Sequence, residues 1–302
     1  MRRLFGFLLL IAFVSPGAFP ARAQDAEPST SPTVDVRIAA PLSTKLILTE
    51  AAHALRDKKN LDIEVSANFT SADALDALAN GKVDMAFMTK PLSGEDRAMY
   101  PSLDLVVTPV GMEVAALGVS SDLWDAGLHA ISQQDMRGIY EQRITNWKSV
   151  GGPDGKITLF NYEQGGGIWE IFAQWLYGDN RRAPIPKVDS VANSQDARDS
   201  LEFNSGSVAP LGVTLVDGAR CHALGIKLSD RITEPTPDAV AAGIYPLARP
   251  IIAITVGRPT LSNRVVTEYL TGPDGQVLIR STGAYGLEAV PKPPPEEAPF
   301  GG

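Results

Sequence analysis

The sequence predicts an α/β protein of two lobes with mixed, mostly parallel sheets and a cleft between the lobes. Strand-like and helix-like segments alternate from Val34 to Met88, and the alternation resumes with its own elements after Ser132. The length of 302 residues fits about two domains at roughly 100–200 residues each.

The elements follow in order. Val34–Ala39 alternates apolar and polar residues and reads as a strand. Ser43 or Thr44 is expected to start a helix whose apolar face is Ile47, Ala51, Ala54 and Leu55. Leu61–Val65 is a second strand. Thr70 and Asp73 have capping-box spacing, and Leu75, Leu78 and a stop at Gly81 complete a short helix. Val83–Met88 reads as a buried strand. Ser132 and Asp135 repeat the capping spacing ahead of Met136, Ile139 and Tyr140. Ile157–Phe160 is a strand that leads through Gly165-Gly166-Gly167 into a helix. Its apolar residues Ile168, Ile171, Phe172, Trp175 and Leu176 form one stripe, and Gly178 ends it. Ile251–Val256 is a strand; Val265–Leu270 and Gln276–Ser281 are helical.

Both ends are set apart. Arg2 and Arg3, the apolar run Leu4 to Val14, the break at Ser15-Pro16-Gly17 and the small-x-small Ala21-Arg22-Ala23 make residues 1–23 a secretory signal peptide, with cleavage expected after Ala23. No cysteine lies near that site, so the exported protein is expected to be free in the periplasm, without a lipid anchor. Residues 24–33 form a polar lead-in. Residues 291–302 carry too many prolines for a helix or central strand and read as a tail.

Composition narrows the function. A net charge of −8 argues against nucleic acid and anionic membranes as partners, yet a local cluster of aimed N–H groups can still hold an anion. A lone cysteine, Cys221, makes no intramolecular disulfide, so packing alone must hold the lobes. His53, His129 and His222 lack metal-ligand spacing, and neither Gly-x-Ser-x-Gly nor His-Glu-x-x-His occurs. No catalytic residue, metal site or cofactor is expected, and the chain reads as a monomeric binding protein.

The candidate site is a set of helix starts, each with N–H groups that lack intrahelical partners. Gly165, Gly166 and Gly167 let the backbone approach a ligand without a Cβ in the way. Ser43 with Thr44, and Thr70 with Ser71, add hydroxyls at two further starts. Ordinary capping accounts for each alone; convergence on one cleft would make them a shared site. The ligand-binding candidates are therefore Ser43, Thr44, Ser71, Gly165, Gly166 and Gly167.

Several runs resemble one family. Ile144-Thr145-Asn146-Trp147-Lys148-Ser149-Val150-Gly151-Gly152-Pro153-Asp154, with Gly138-Ile139-Tyr140 before it, is similar to a motif of the periplasmic phosphate-binding proteins, the solute receptors of phosphate ABC importers. Tyr245-Pro246-Leu247-Ala248-Arg249-Pro250 and Gly272-Pro273-Asp274-Gly275-Gln276 resemble its return strand and C-terminal helix start. Ser71 to Leu78 and Gly81 to Ala86 fit its first lobe, and the order is kept across residues 34–288. The resemblance implies a type II periplasmic-binding-protein fold, with lobe 1 from residues 34–114 and 243–290 and lobe 2 from 115–242. It also implies a small-molecule ligand, phosphate or another oxyanion, and as partners importer membrane subunits or a sensor.

The departures are as informative. Where the family carries Arg-x-x-Gly-Ser-Gly-Thr, this chain has Asn161-Tyr162-Glu163-Gln164-Gly165-Gly166-Gly167-Ile168, so the arginine and both hydroxyls are missing. The family's cleft aspartate falls near Met112, with Glu113 beside it. Lys45, Lys90 and Arg249 are the cations available to replace the arginine. A receptor with altered or weakened anion recognition is the first reading. The same fold with a larger or less charged ligand, and a ligand-free interaction or sensor protein, stand beside it.

Overall fold

The computed structural model describes residues 34–162, 166–179 and 188–292. The expected signal peptide, cleavage site and lead-in, Gly165, and the tail beyond Lys292 lie outside the described residues. The strands are β1 Val36–Ala39, β2 Ile63–Ser66, β3 Met85–Met88, β4 Leu105–Ser120, β5 Ala130–Ser132, β6 Thr158–Tyr162, β7 Asp189–Val191, β8 Ser207–Gly212, β9 Cys221–Lys227, β10 Ile232–Thr233 and β11 Ala248–Val256. The helices are α1 Lys45–Lys59, α2 Ser71–Ala79, α3 Gly94–Met99, α4 Ser121–Asp125, α5 Gln133–Tyr140, α6 Gly167–Tyr177, α7 Ser194–Phe203, α8 Pro237–Ala241, α9 Leu261–Thr271 and α10 Pro273–Ser281.

The strands run in the order β2-β1-β3-β11-β4-β8-β6-β7, with β9 against β4 and with β5 and β10 against β9. Pairs toward the two ends of the path, β1 with β2 and β3 and β6 with β7 and β8, are parallel. The two long strands in the middle make antiparallel pairs: β11 with β3 and β4, and β4 with β8 and β9. Along β4 the partner changes. Residues up to Val114 pair with β11, and from Ala115 onward the strand pairs with β8.

Strand burial explains the sequence pattern in the first part. Val36, Ile38, Met85, Phe87, Ile251 and Ala253 pack on one face of the sheet with α1, α9 and α10. Ala39, Ala86, Met88, Ile252 and Ile254 pack on the other with α2. Successive strand residues point to opposite faces, so a strand covered on both sides must be apolar throughout. That is why Met85–Met88 is an unbroken apolar run. A third core is built on the later half of β4 with β6, β8 and β9, beneath α5, α6 and α7.

The Ile144–Asp154 run proves to be an architectural plug. Trp147 is fully buried and donates from Nε1 to the Gly206 carbonyl at 2.9 Å. Asn146 Oδ1 accepts from the Lys148 N–H at 2.9 Å, and Gly151 takes the left-handed conformation, φ 92°, that closes the turn. The expected caps at Thr70 and Ser132 are present, each hydroxyl accepting the N–H of the aspartate three residues on. Gly178 ends α6 with φ 72°.

The first helix departs from expectation. Leu42–Thr44 forms a 3-10 turn and α1 begins only at Lys45; neither Ser43 nor Thr44 caps it through its side chain.

Candidate functional site

Four chain segments meet beside the β4–β11 pair. Pro41–Ser43 leads out of β1 into the 3-10 turn. Asn68–Ser71 leads into α2, Thr89-Lys90 leaves β3, and α6 begins at Gly167. A cavity of about 640 Å³ lies among them, lined by Ser43, Thr70, Ser71, Asp73, Thr89, Lys90, Glu170 and Arg249. A smaller one of about 120 Å³ adjoins it through Ser43 and is lined by Glu113, Gly167, Ile168 and Ala284.

The charged centre is Arg249. Strand register sets it directly opposite Glu113. Its Nε donates to Glu113 Oε2 at 2.6 Å, and its Nη1 donates to Glu170 Oε2 on the first turn of α6 at 3.0 Å. Glu113 is buried, the Arg249 side chain is 21% exposed and that of Glu170 is 38% exposed. Burial disfavours the guanidinium charge, but the two carboxylates outweigh it and hold Arg249 above its ordinary range. Among the described residues, two buried atoms here have no hydrogen-bond partner, Arg249 Nη2 and Ser43 Oγ.

Gly167 makes that meeting possible. A Cβ on it would stand 2.5 Å from Ser43 Cβ, and 3.1 Å from both Arg249 Nη2 and Glu113 Oε1. Only glycine lets the α6 start come so close to the turn after β1.

The other cation, Lys90, is occupied. It donates to both oxygens of buried Asp96, at 2.8 and 2.9 Å, and Asp96 also accepts from the Ser93 N–H and hydroxyl. Burial by itself would raise the Asp96 pKa; Lys90 and Ser93 outweigh it and hold the carboxyl below its usual value.

The candidate residues are distributed unevenly. Ser43 and Ser71 line the large cavity, and Gly167 touches Ser43 from the other side. The Ser71 hydroxyl accepts the Thr89 N–H at 3.0 Å, which ties the start of α2 to the end of β3. Thr44 does not join them. It is fully buried and donates to the Pro41 carbonyl at 2.9 Å, because the 3-10 turn rotates its side chain inward. Gly166 precedes α6 in extended conformation, and among the described residues a Cβ there would meet only Tyr162 Cδ1, at 3.7 Å. Asn161, at the position aligned with the family arginine in one register, is buried, and its Oδ1 accepts the N–H of Tyr162. Glu170 was not among the candidates. Glu113 and Arg249 were noted only singly, since their pairing requires the β4–β11 register.

Known proteins resemble this chain over most of its length. The profile of the PBP superfamily domain matches residues 26–271. The phosphate-binding protein PstS of Bacillus subtilis is 26% identical over 240 residues, 80% of this chain and 76% of that protein. A possible phosphate-binding protein from Planctomyces limnophilus superposes with a TM-score of 0.70 at 16% identity, over 85% of this chain and 93% of its own. An ABC-type phosphate transport receptor from Vibrio cholerae gives 0.63 at 20% identity, over 83% and 99%. The fold is therefore the type II periplasmic-binding-protein fold, and the chain belongs to the PBP superfamily, within which it is similar at low identity to the PstS phosphate-binding proteins.

Proposed function

We propose that the chain is an extracytoplasmic solute receptor of the phosphate-transport type whose recognition of orthophosphate is weaker than that of its relatives. One observation carries this reading. Ser43 Oγ and Arg249 Nη2, both without a partner among the described residues, flank the glycine start of α6 beside a cavity large enough for a small anion. A tetrahedral oxyanion has acceptors for the hydroxyl, for the guanidinium edge and for backbone N–H groups of α6 together. The weakness follows from what surrounds the arginine. Two carboxylates already hold Arg249, Asn161 is turned inward, and no hydroxyl stands at Gly166 or Gly167.

In this reading the lobes comprise residues 34–114 with 243–290, and residues 115–242. They meet where β4 exchanges β11 for β8, and Ser43, Ser71 and Gly167 bind from both sides of the cleft. Residues 1–23 direct export and are cleaved off after Ala23, and the bound anion is handed to the membrane subunits of an ABC importer. Relatives named as phosphate-binding proteins and phosphate transport receptors support that assignment. Among the described residues no helix is long and apolar enough to cross a membrane.

Calorimetric titration of unfolded, dialysed and refolded protein with orthophosphate tests the proposal. Dissociation constants in the micromolar to millimolar range, about −8 to −4 kcal/mol, are expected. Ser43→Ala should weaken binding several-fold by removing one donor. Nanomolar binding would show that recognition is intact, and absence of any heat at millimolar orthophosphate, both from wild type and from a variant in which Glu170 no longer holds Arg249, would remove the receptor assignment.

A further inference from the structure

Glu170 occupies an unusual place for an acid in an anion site. It lies on the first turn of α6, where the unpaired N–H groups and the helix dipole favour negative charge. Its Oε2 also accepts from Arg249 Nη1 at 3.0 Å. One carboxylate therefore holds one nitrogen of the guanidinium that an incoming anion would use, and does so from the positive end of the helix. Because it is fixed to the same chain, it competes as if present at millimolar or higher concentration.

The two carboxylates on Arg249 are not equivalent. Glu113 is buried, lies in strand register and holds Nε at 2.6 Å; without it the guanidinium would lose its only partner on β4. Glu170 is 38% exposed, lines the cavity and reaches Arg249 from another element. It is the one that can swing out.

We propose that Glu170 is a specificity-determining residue, a tethered carboxylate that holds Nη1 of Arg249 beside the α6 start, so that a ligand anion gains both Nη1 and Nη2 of that guanidinium only by displacing it. This rests on the receptor reading above and deepens it. The weakness toward orthophosphate then arises from built-in competition as well as from absent donors. Glu170→Gln keeps the side-chain shape and an acceptor oxygen but removes the charge, freeing Arg249 without emptying the space.

The test is calorimetric titration of wild type, Glu170→Gln and Glu170→Ala with orthophosphate at low salt and again with added sodium chloride, with melting curves to confirm folding. Both variants should bind at least about tenfold more tightly than wild type, as expected for removal of one charge-assisted competitor. The advantage should shrink as salt screens the competing charge, a response that mere loosening of α6 would not give. Tighter binding by the variants supports the inference whether or not wild type gives measurable heat. Folded variants that bind no better than a wild type that does bind overturn it and leave the receptor reading standing. Failure of all three proteins to bind overturns both.

Discussion

Gly167→Ala perturbs the site at its tightest point. The added carbon would sit 2.5 Å from Ser43 Cβ, whereas carbon atoms in contact prefer about 3.5–4.0 Å. The two backbones would have to part by about 1 Å or more, because both carbons are attached directly to main chain and no rotamer relieves the overlap. Overpacking of this kind costs about 1–3 kcal/mol. Alanine's better helix propensity returns at most about 1 kcal/mol, and less at a first turn than in a helix interior. A net loss of about 1–2 kcal/mol corresponds to a fall in Tm of about 2–8 °C for a chain of this size. Gly166→Ser is the matched comparison. Its Cβ would meet Tyr162 Cδ1 at an ordinary 3.7 Å, the backbone is already extended, and serine is a preferred N-cap. That variant should melt at or slightly above the wild-type temperature. Scanning calorimetry in phosphate-free buffer reads both, since ligand would mask the difference. If Gly167→Ala melts within about 1 °C of wild type, the close approach of α6 to Ser43 has been misjudged, and the meeting of Ser43, Gly167 and Arg249 goes with it.

Three further outcomes are expected. Trp147→Phe removes one of the two donors to the buried Gly206 carbonyl, the Thr158 N–H remaining, and should lower stability by about 1–2 kcal/mol in urea unfolding, with the slope of the transition unchanged. Asp96→Asn removes the charge that pairs with Lys90 while leaving one acceptor oxygen for Ser93 at the start of α3, at a cost of about 1 kcal/mol at neutral pH. Because the native Asp96 pKa is depressed, its contribution is present above the unfolded value of about 4 and is lost as pH falls through the native one; the stabilities of wild type and variant should converge on acidification. Burial pushes the Cys221 thiol up to about 11, so native protein should resist a thiol reagent at pH 8 and react once unfolded. The same shift makes Cys221 stabilising below the unfolded pKa, with the contribution declining as pH rises toward 11, which thermal melts across alkaline pH would follow.

Local patterns carried the sequence reading well wherever an element's signal lies within itself. The β1-α1-β2-α2-β3 order, the caps at Thr70 and Ser132 and the stop at Gly178 all belong to this kind. What escaped depends on distant partners. β4 shows no clean period because Pro109, Gly111 and Gly118 interrupt it. Pro109 is tolerated beside a bulge between Ile251 and Ile252, and Gly118 because a Cβ would lie 2.4 Å from Leu211. Neither reason is visible in the strand itself. The Arg249–Glu113 pair shares that fate, since it exists only once β4 and β11 are in register. Thr44 shows the opposite failure: its hydroxyl promised a ligand contact, and the local turn directs it to Pro41 instead.

The placement of β11 has a consequence for the order in which the molecule can be assembled. It lies between β3 and β4, pairing Ile252 with Met88 and Ala253 with both Phe87 and Thr108. A nascent chain that has emerged only as far as β9 therefore holds β3 and β4 with the facing edges of both unpaired, and the apolar faces of Met85–Met88 have no strand to complete their layer. Closing that gap requires contacts between residues far apart in sequence, which form slowly because the intervening loop must first be ordered. The first part of the sheet thus stays unfinished until β11 has been synthesised.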